Sequence, residues 1–74
     1  MYIDHNLVKR MKGTYLPGTR IELDYMGDDP RPIPSGTRGT VRLVDDIGTV
    51  HCHFDNGRHL GLAPGEDAFH KVED

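Results

Sequence analysis

From Arg20 onward, apolar and polar residues alternate with a period of two in several short runs. Ile21, Leu23 and Tyr25 alternate with Arg20, Glu22 and Asp24, the pattern of a strand with one buried face. A second run directs Val41 and Leu43 inward and Thr40 and Arg42 outward. A third sets Val50, Cys52 and Phe54 on one face and His51 and His53 on the other. Leu60 and Leu62 mark a fourth strand, and residues 68–72 a short fifth. Ahead of them, Leu7, Val8 and Met11 recur at helical spacing. Residues 4–11 therefore predict a short helix, capped by Asp4 or Asn6 and stopped by Gly13. Two helical turns are not stable alone, so the helix must dock on something.

The connections carry their own signals. Pro30, Pro32 and Pro34 stand at alternate positions within residues 27–36. They forbid both helix and central strand, and predict a long, stiff loop. Asp55-Asn56-Gly57 is the strongest turn signal. A two-residue turn at Asn56-Gly57 would set Phe54 against His59, mixing apolar and polar residues on each face. A three-residue loop pairs His53 with His59, Cys52 with Leu60 and Val50 with Leu62. Each face is then uniform, which selects that register and places Gly57 in the left-handed position of the bulge.

Five short antiparallel strands with one long early loop predict a mostly β chain, a small SH3-like barrel with a short N-terminal helix. Residues 1–14 form the helical segment and residues 15–74 the barrel. An OB-fold normally needs a longer chain and an internal helix. The expected core is Ile21, Leu23, Val41, Leu43, Val50, Cys52, Phe54, Leu60 and Leu62. Glu22, Arg42, His51, His53 and His59 are expected outside. The helix face Leu7, Val8, Met11 needs cover that one small barrel need not supply, so self-association is expected.

Composition narrows the function classes. The chain has 74 residues, which bounds it to one domain. Its 9 Lys+Arg are outnumbered by 12 Asp+Glu, for a net charge of -3. Nonspecific nucleic-acid binders carry the opposite excess, so bulk duplex DNA is a poor partner. Cys52 is the sole cysteine, which excludes an intramolecular disulfide and fits the reducing cytoplasm. The N-terminus does not read as a signal peptide. No apolar run is long enough to span a bilayer, so no membrane partner is expected.

Candidate chemistry is sparse. His51 and His53 share an outward face with His59 across from His53, an arrangement that offers three corners of a tetrahedral zinc site. No carboxylate is visibly placed to orient the imidazoles, so no metal or other cofactor is assigned. The same trio, with Arg42 beside His51 and Arg58 nearby, suits an anion or a pH-sensitive partner. Asp45-Asp46 and Asp28-Asp29 are explained by turn chemistry. Cys52 alternates with core residues and reads as a buried small hydrophobe, not a nucleophile. No Ser-His-Asp order or phosphate-binding Gly-Lys loop is present, and no enzyme activity is expected. The proline-rich loop, with Asp28, Asp29 and Arg31, is the best binding element, while Ile33 reads as a plug for one barrel end.

Several segments also carry a family resemblance: Tyr15-Leu16-Pro17-Gly18-Thr19-Arg20-Ile21-Glu22-Leu23, Pro32-Ile33-Pro34-Ser35-Gly36-Thr37-Arg38-Gly39-Thr40-Val41 and Val44-Asp45-Asp46-Ile47-Gly48. Phe54-Asp55-Asn56-Gly57 and Leu60-Gly61-Leu62-Ala63-Pro64-Gly65-Glu66-Asp67-Ala68-Phe69 extend it. In this order they resemble the domain-of-unknown-function 4314 family, small proteins of phages, plasmids and Gram-positive hosts. Phe54 stands where that family prefers Trp, and His53 where an acidic residue is commoner. The resemblance implies a mobile-element setting and no particular chemistry. The expected function is thus non-catalytic binding of a host protein or a small nucleotide ligand, in an inhibitory or ligand-sequestering counter-defence role. Asp28, Asp29, Arg31, Arg42, His51, His53, Arg58 and His59 are the candidate contacts. A nucleic-acid or ribonucleoprotein accessory module of KOW type is the alternative, on fold analogy.

Overall fold

A computed structural model of the chain describes residues 4–27 and 30–73. The elements are α1 (His5–Thr14), β1 (Arg20–Tyr25), β2 (Arg38–Val44), β3 (Val50–Phe54), β4 (His59–Leu62) and β5 (Ala68–Lys71). The five strands form one antiparallel sheet in the order β4-β3-β2-β1-β5.

Each connection is built from the residue types the sequence supplies. Gly57 takes φ +90° in the β3–β4 turn, where a side chain would be strained. The Phe54 N–H donates to the Arg58 carbonyl, and His53 pairs with His59, Cys52 with Leu60 and Val50 with Leu62. The three-residue loop and its register are therefore as the hydrophobic pattern requires. Asp4 caps α1, its carboxylate accepting from the N–H groups of Asn6 and Leu7 at 3.0 and 3.1 Å. The helix runs past Met11 and through Gly13, a turn longer than expected. Its last turn is closed by the Tyr15 N–H on the Met11 carbonyl, and the Tyr15 ring is held against Phe69, centroids 5.3 Å apart.

Ile21, Leu23, Val41, Val50, Cys52, Phe54 and Leu62 are fully buried. Gly39 lies across from Phe54. A Cβ there would stand 2.9 Å from the Phe54 ring, so the ring occupies room that only glycine leaves. Ile33, 2% exposed, plugs the sheet from the proline-rich loop. That loop is tied down at its C-terminal end, where Leu23 and Gly36/Thr37 exchange backbone hydrogen bonds.

Two core assignments, Leu43 and Leu60, are corrected, and Tyr25 departs from the alternation of its strand. Leu43 is 49% exposed and Val44 takes the inward position. β2 carries a bulge here: Val41 faces Cys52 and Leu43 faces His51, so Arg42 is an extra residue and the alternation changes phase. Tyr25 is likewise displaced outward, 62% exposed, by an irregularity after Leu23. Leu60 is only half-buried because β4 is an edge strand. Of the residues expected outside, Glu22 and His51 are half-buried, each held by a partner on a neighbouring segment.

Closure is the other difference. Among the described residues β4 and β5 are not paired, so the sheet remains open where a barrel was expected. The Asp67 side chain occupies the approach between them. Its carboxylate accepts from the Gly27 N–H at 2.7 Å and the Ala63 N–H at 2.9 Å. A side-chain bridge thus stands where a backbone ladder would close the ring. The helix docks within its own chain. Val8 and Met11 are buried against β2 and its turn, Lys12 pairs with Asp46 at 2.6 Å, and Leu7 stays exposed. No described helix is long and apolar enough to cross a membrane.

Candidate functional site

Pairing across the sheet brings the outward side chains into rows. One row runs His70, Glu22, Arg38 from β5 through β1 to β2. The next runs Arg20, Thr40, His53, His59 from β1 to β4. In the first row the charges satisfy one another. Arg38 Nε donates to Glu22 Oε1 at 3.3 Å, and His70 Nδ1 lies 2.8 Å from Asp24 Oδ2. In the second, Arg20 makes a two-pronged bond to Asp55 at 2.8 and 2.7 Å and a third to Thr40 Oγ1 at 3.0 Å. That geometry is the strong one for a guanidinium and a carboxylate. It holds the Asp55 carboxyl below its ordinary value of 3.8.

The expected site residues fall into separate groups. Asp28 and Asp29 lie outside the described residues. Arg31 and Arg58 meet at one end, where the Arg58 guanidinium donates to the Arg31 carbonyl and clips the proline-rich loop to the β3–β4 hairpin. His53 and His59 stack, ring centroids 4.0 Å apart at 16°. The histidine trio does not converge as a metal centre. Among the described residues, the side chains whose donor atoms gather closely are Glu22, Asp24 and His70. His51 is turned toward Asp45, and the other two imidazoles lie face to face.

Arg42, His51 and His59 do come together. With Cys52, Leu60 and Gly61 they line a shallow cleft of about 200 Å³ over β3 and β4. Arg42 enters it from the bulge, a device that re-aims a side chain. Among the described residues its guanidinium has no hydrogen bond or ion pair. His51 is positioned from both sides. Its Nε2 lies 2.8 Å from Asp45 Oδ2. Its ring edge lies against Gly61, where a Cβ would stand 3.7 Å from Nδ1 and 2.7 Å from Thr49 Cγ2. Glycine at 61 is therefore required by the Thr49 methyl, and the imidazole lies beside it at ordinary contact distance.

Asp45 does the turn work that its place in the sequence predicts, and more. Its Oδ1 accepts from the N–H groups of Ile47 and Thr49 at 3.1 and 2.9 Å. Its second oxygen is left for His51. The hydrogen bond to His51, followed by those two backbone bonds, holds the carboxyl below 3.8. The carboxylate that the sequence reading missed was thus in view, six residues before the histidine. Cys52 contributes no chemistry: its buried thiol is pushed up to about 11 by desolvation.

A family model described as a domain of unknown function (DUF4314) matches residues 4–72. No curated protein and no solved structure matches the chain.

Proposed function

The chain belongs to the DUF4314 family of domains of unknown function, and from that premise we propose a non-catalytic protein that binds a small nucleotide-like anion. The cleft beside the β2 bulge is its site. The observation that carries this reading is Arg42. It is a guanidinium without a described partner, set beside an imidazole that Asp45 orients. Positioned, unsatisfied donors beside an apolar wall such as Leu60 suit a ligand with an anionic group and a flat body. Arg42 and the free ring nitrogen of His51 take the anion; Leu60 and the edge of the stacked His53–His59 pair take the rest.

We read the fold as SH3-like, because β5 returns to pair with β1 after a meander of four strands. Such a small scaffold has no interior room for a ligand, which favours a surface cleft. The non-catalytic reading rests on Cys52 being buried and on the absence, among the described residues, of an exposed nucleophile hydrogen-bonded to a base. In the mobile-element setting that the family resemblance implies, the role would be to sequester a host metabolite in the cell that carries the element. Capture of a host protein by the same face is the competing outcome.

The test is an NMR titration of isotope-labelled protein with the four common ribonucleoside monophosphates and, separately, a DNA duplex. Amide shifts confined to Arg42, His51, His59 and Gly61, requiring much more ligand after Arg42→Ala, are expected. Tight duplex binding, its logarithm falling with log salt by about 0.9 per phosphate contacted, would replace this reading with the nucleic-acid one.

A further inference from the structure

We infer that the anion bound in the Arg42 cleft is held by a protonated His51, so that binding takes up a proton at Nδ1 and fails as pH rises. The inference rests on the binding reading above and adds its regulation.

The geometry distinguishes the two ring nitrogens. His51 Nε2 is committed to Asp45 Oδ2 at 2.8 Å. Asp45 is a carboxylate with its other oxygen occupied by two backbone N–H groups, so it acts as the acceptor. The proton on the neutral ring therefore sits on Nε2, and Nδ1 carries a lone pair. Nδ1 lies over Gly61, on the wall of the cleft that Arg42 enters, and has no hydrogen bond among the described residues. A lone pair there repels an anionic oxygen. An N–H there donates to it. The same atom switches from obstacle to ligand on gaining one proton.

The charges around the ring set the coupling. Asp45 in the turn favours the imidazolium. Arg42 on β2 opposes it, as do His59 on β4 and His53 two residues along β3 whenever they are charged. An anion between Arg42 and Nδ1 removes the repulsion from Arg42 and adds a second negative partner. Ligand and proton thus each strengthen the binding of the other, as linkage requires. Asp45 is a positioning residue: it fixes the tautomer and aims Nδ1, and does not touch the ligand.

The ligand class follows from the donors. A guanidinium and one imidazolium N–H can share a compact oxyanion, the phosphate of a nucleotide or a free tetrahedral anion. Phosphate monoesters change charge near neutral pH and would mask the effect. The probes are therefore sulfate and the methyl ester of AMP, whose charges are fixed. Each is titrated calorimetrically into the full chain between about pH 5.5 and about pH 8, in buffers of different ionisation enthalpy.

On the alkaline side, uptake approaching one proton per ligand is expected, with affinity falling about tenfold per pH unit, and both should diminish toward acid. Tighter binding of the ester than of sulfate would assign the site to nucleotides, and equal binding to free anions. His51→Gln should flatten the profile and weaken binding at low pH. Asp45→Asn keeps an oxygen for the Ile47 and Thr49 N–H groups, so the turn survives. It should displace the profile toward lower pH. Binding of either probe without proton uptake, and with a profile that His51→Gln leaves unchanged, overturns the inference and leaves the binding reading standing. Failure of both probes to bind at any pH removes both.

Discussion

The two halves of the outer sheet face handle charge in opposite ways. On β5, β1 and the start of β2, Arg20 is bonded to Asp55 and Thr40, Arg38 to Glu22, and His70 to Asp24. Past the bulge, on β2, β3 and β4, Arg42 has no described partner and His51 is committed through one nitrogen only. Both halves share one core and one sheet. The difference lies in whether each donor meets an acceptor on the neighbouring strand. Where it does, the side chains tie strands together and have little left for a ligand. Where it does not, the donors are available, and their placement requires an explanation beyond stability.

The largest expected effect removes what the halves share. Phe54 lies in the slot that Gly39 leaves open, at the meeting of β2 and β3. Phe54→Ala should cost about 3–5 kcal/mol in urea denaturation, enough to unfold much of so small a domain. A loss below about 1 kcal/mol would mean that the ring is not the centre of packing.

Next, the two arginines should separate stability from binding. Arg42→Ala should shift stability by no more than about 0.5 kcal/mol, as for a surface residue without structural partners. It should weaken anion binding by about tenfold or more, the loss of a charge-assisted hydrogen bond. Arg20→Ala should do the reverse, lowering the denaturation midpoint while leaving anion affinity unchanged. If both variants moved the same observable, the division between the halves would be wrong.

The sequence disclosed the saturated half and the hairpin more fully than the site. Alternation in β1 and β3 placed Ile21, Leu23, Val50, Cys52 and Phe54 inside, because each strand keeps its phase over those residues. Uniformity of faces is enough to set His53 opposite His59, as the sheet has them. The bulge escaped, since the string Val41-Arg42-Leu43-Val44 reads equally well with Leu43 or Val44 inward. The choice is made by pairing with β3, a contact between segments that periodicity does not encode. Asp45 escaped for a related reason. A turn aspartate satisfies its local role with one oxygen, and nothing local reveals where the second points.

The smallest expected effect is in acid. Asp55 is held below its ordinary value first by the hydrogen bonds from Arg20, and Asp45 first by that from His51. A carboxyl depressed in the folded state releases its proton more readily there than in the unfolded chain. Its stabilising contribution is therefore complete above the ordinary value of 3.8 and is lost as pH falls below it through the lower folded value. Both pairs are solvated, so each effect should be small and weakened by salt. The two nonetheless differ in kind. Arg20 keeps its charge at every accessible pH, so Asp55→Asn should remove stability uniformly from pH 8 down to about pH 5. Asp45 spends one oxygen on the Ile47 and Thr49 N–H groups, which an amide oxygen also satisfies, so Asp45→Asn should cost less than Asp55→Asn. Thermal denaturation of the two variants across that range checks it. Equal losses would mean that an amide oxygen does not take over the turn role of Asp45.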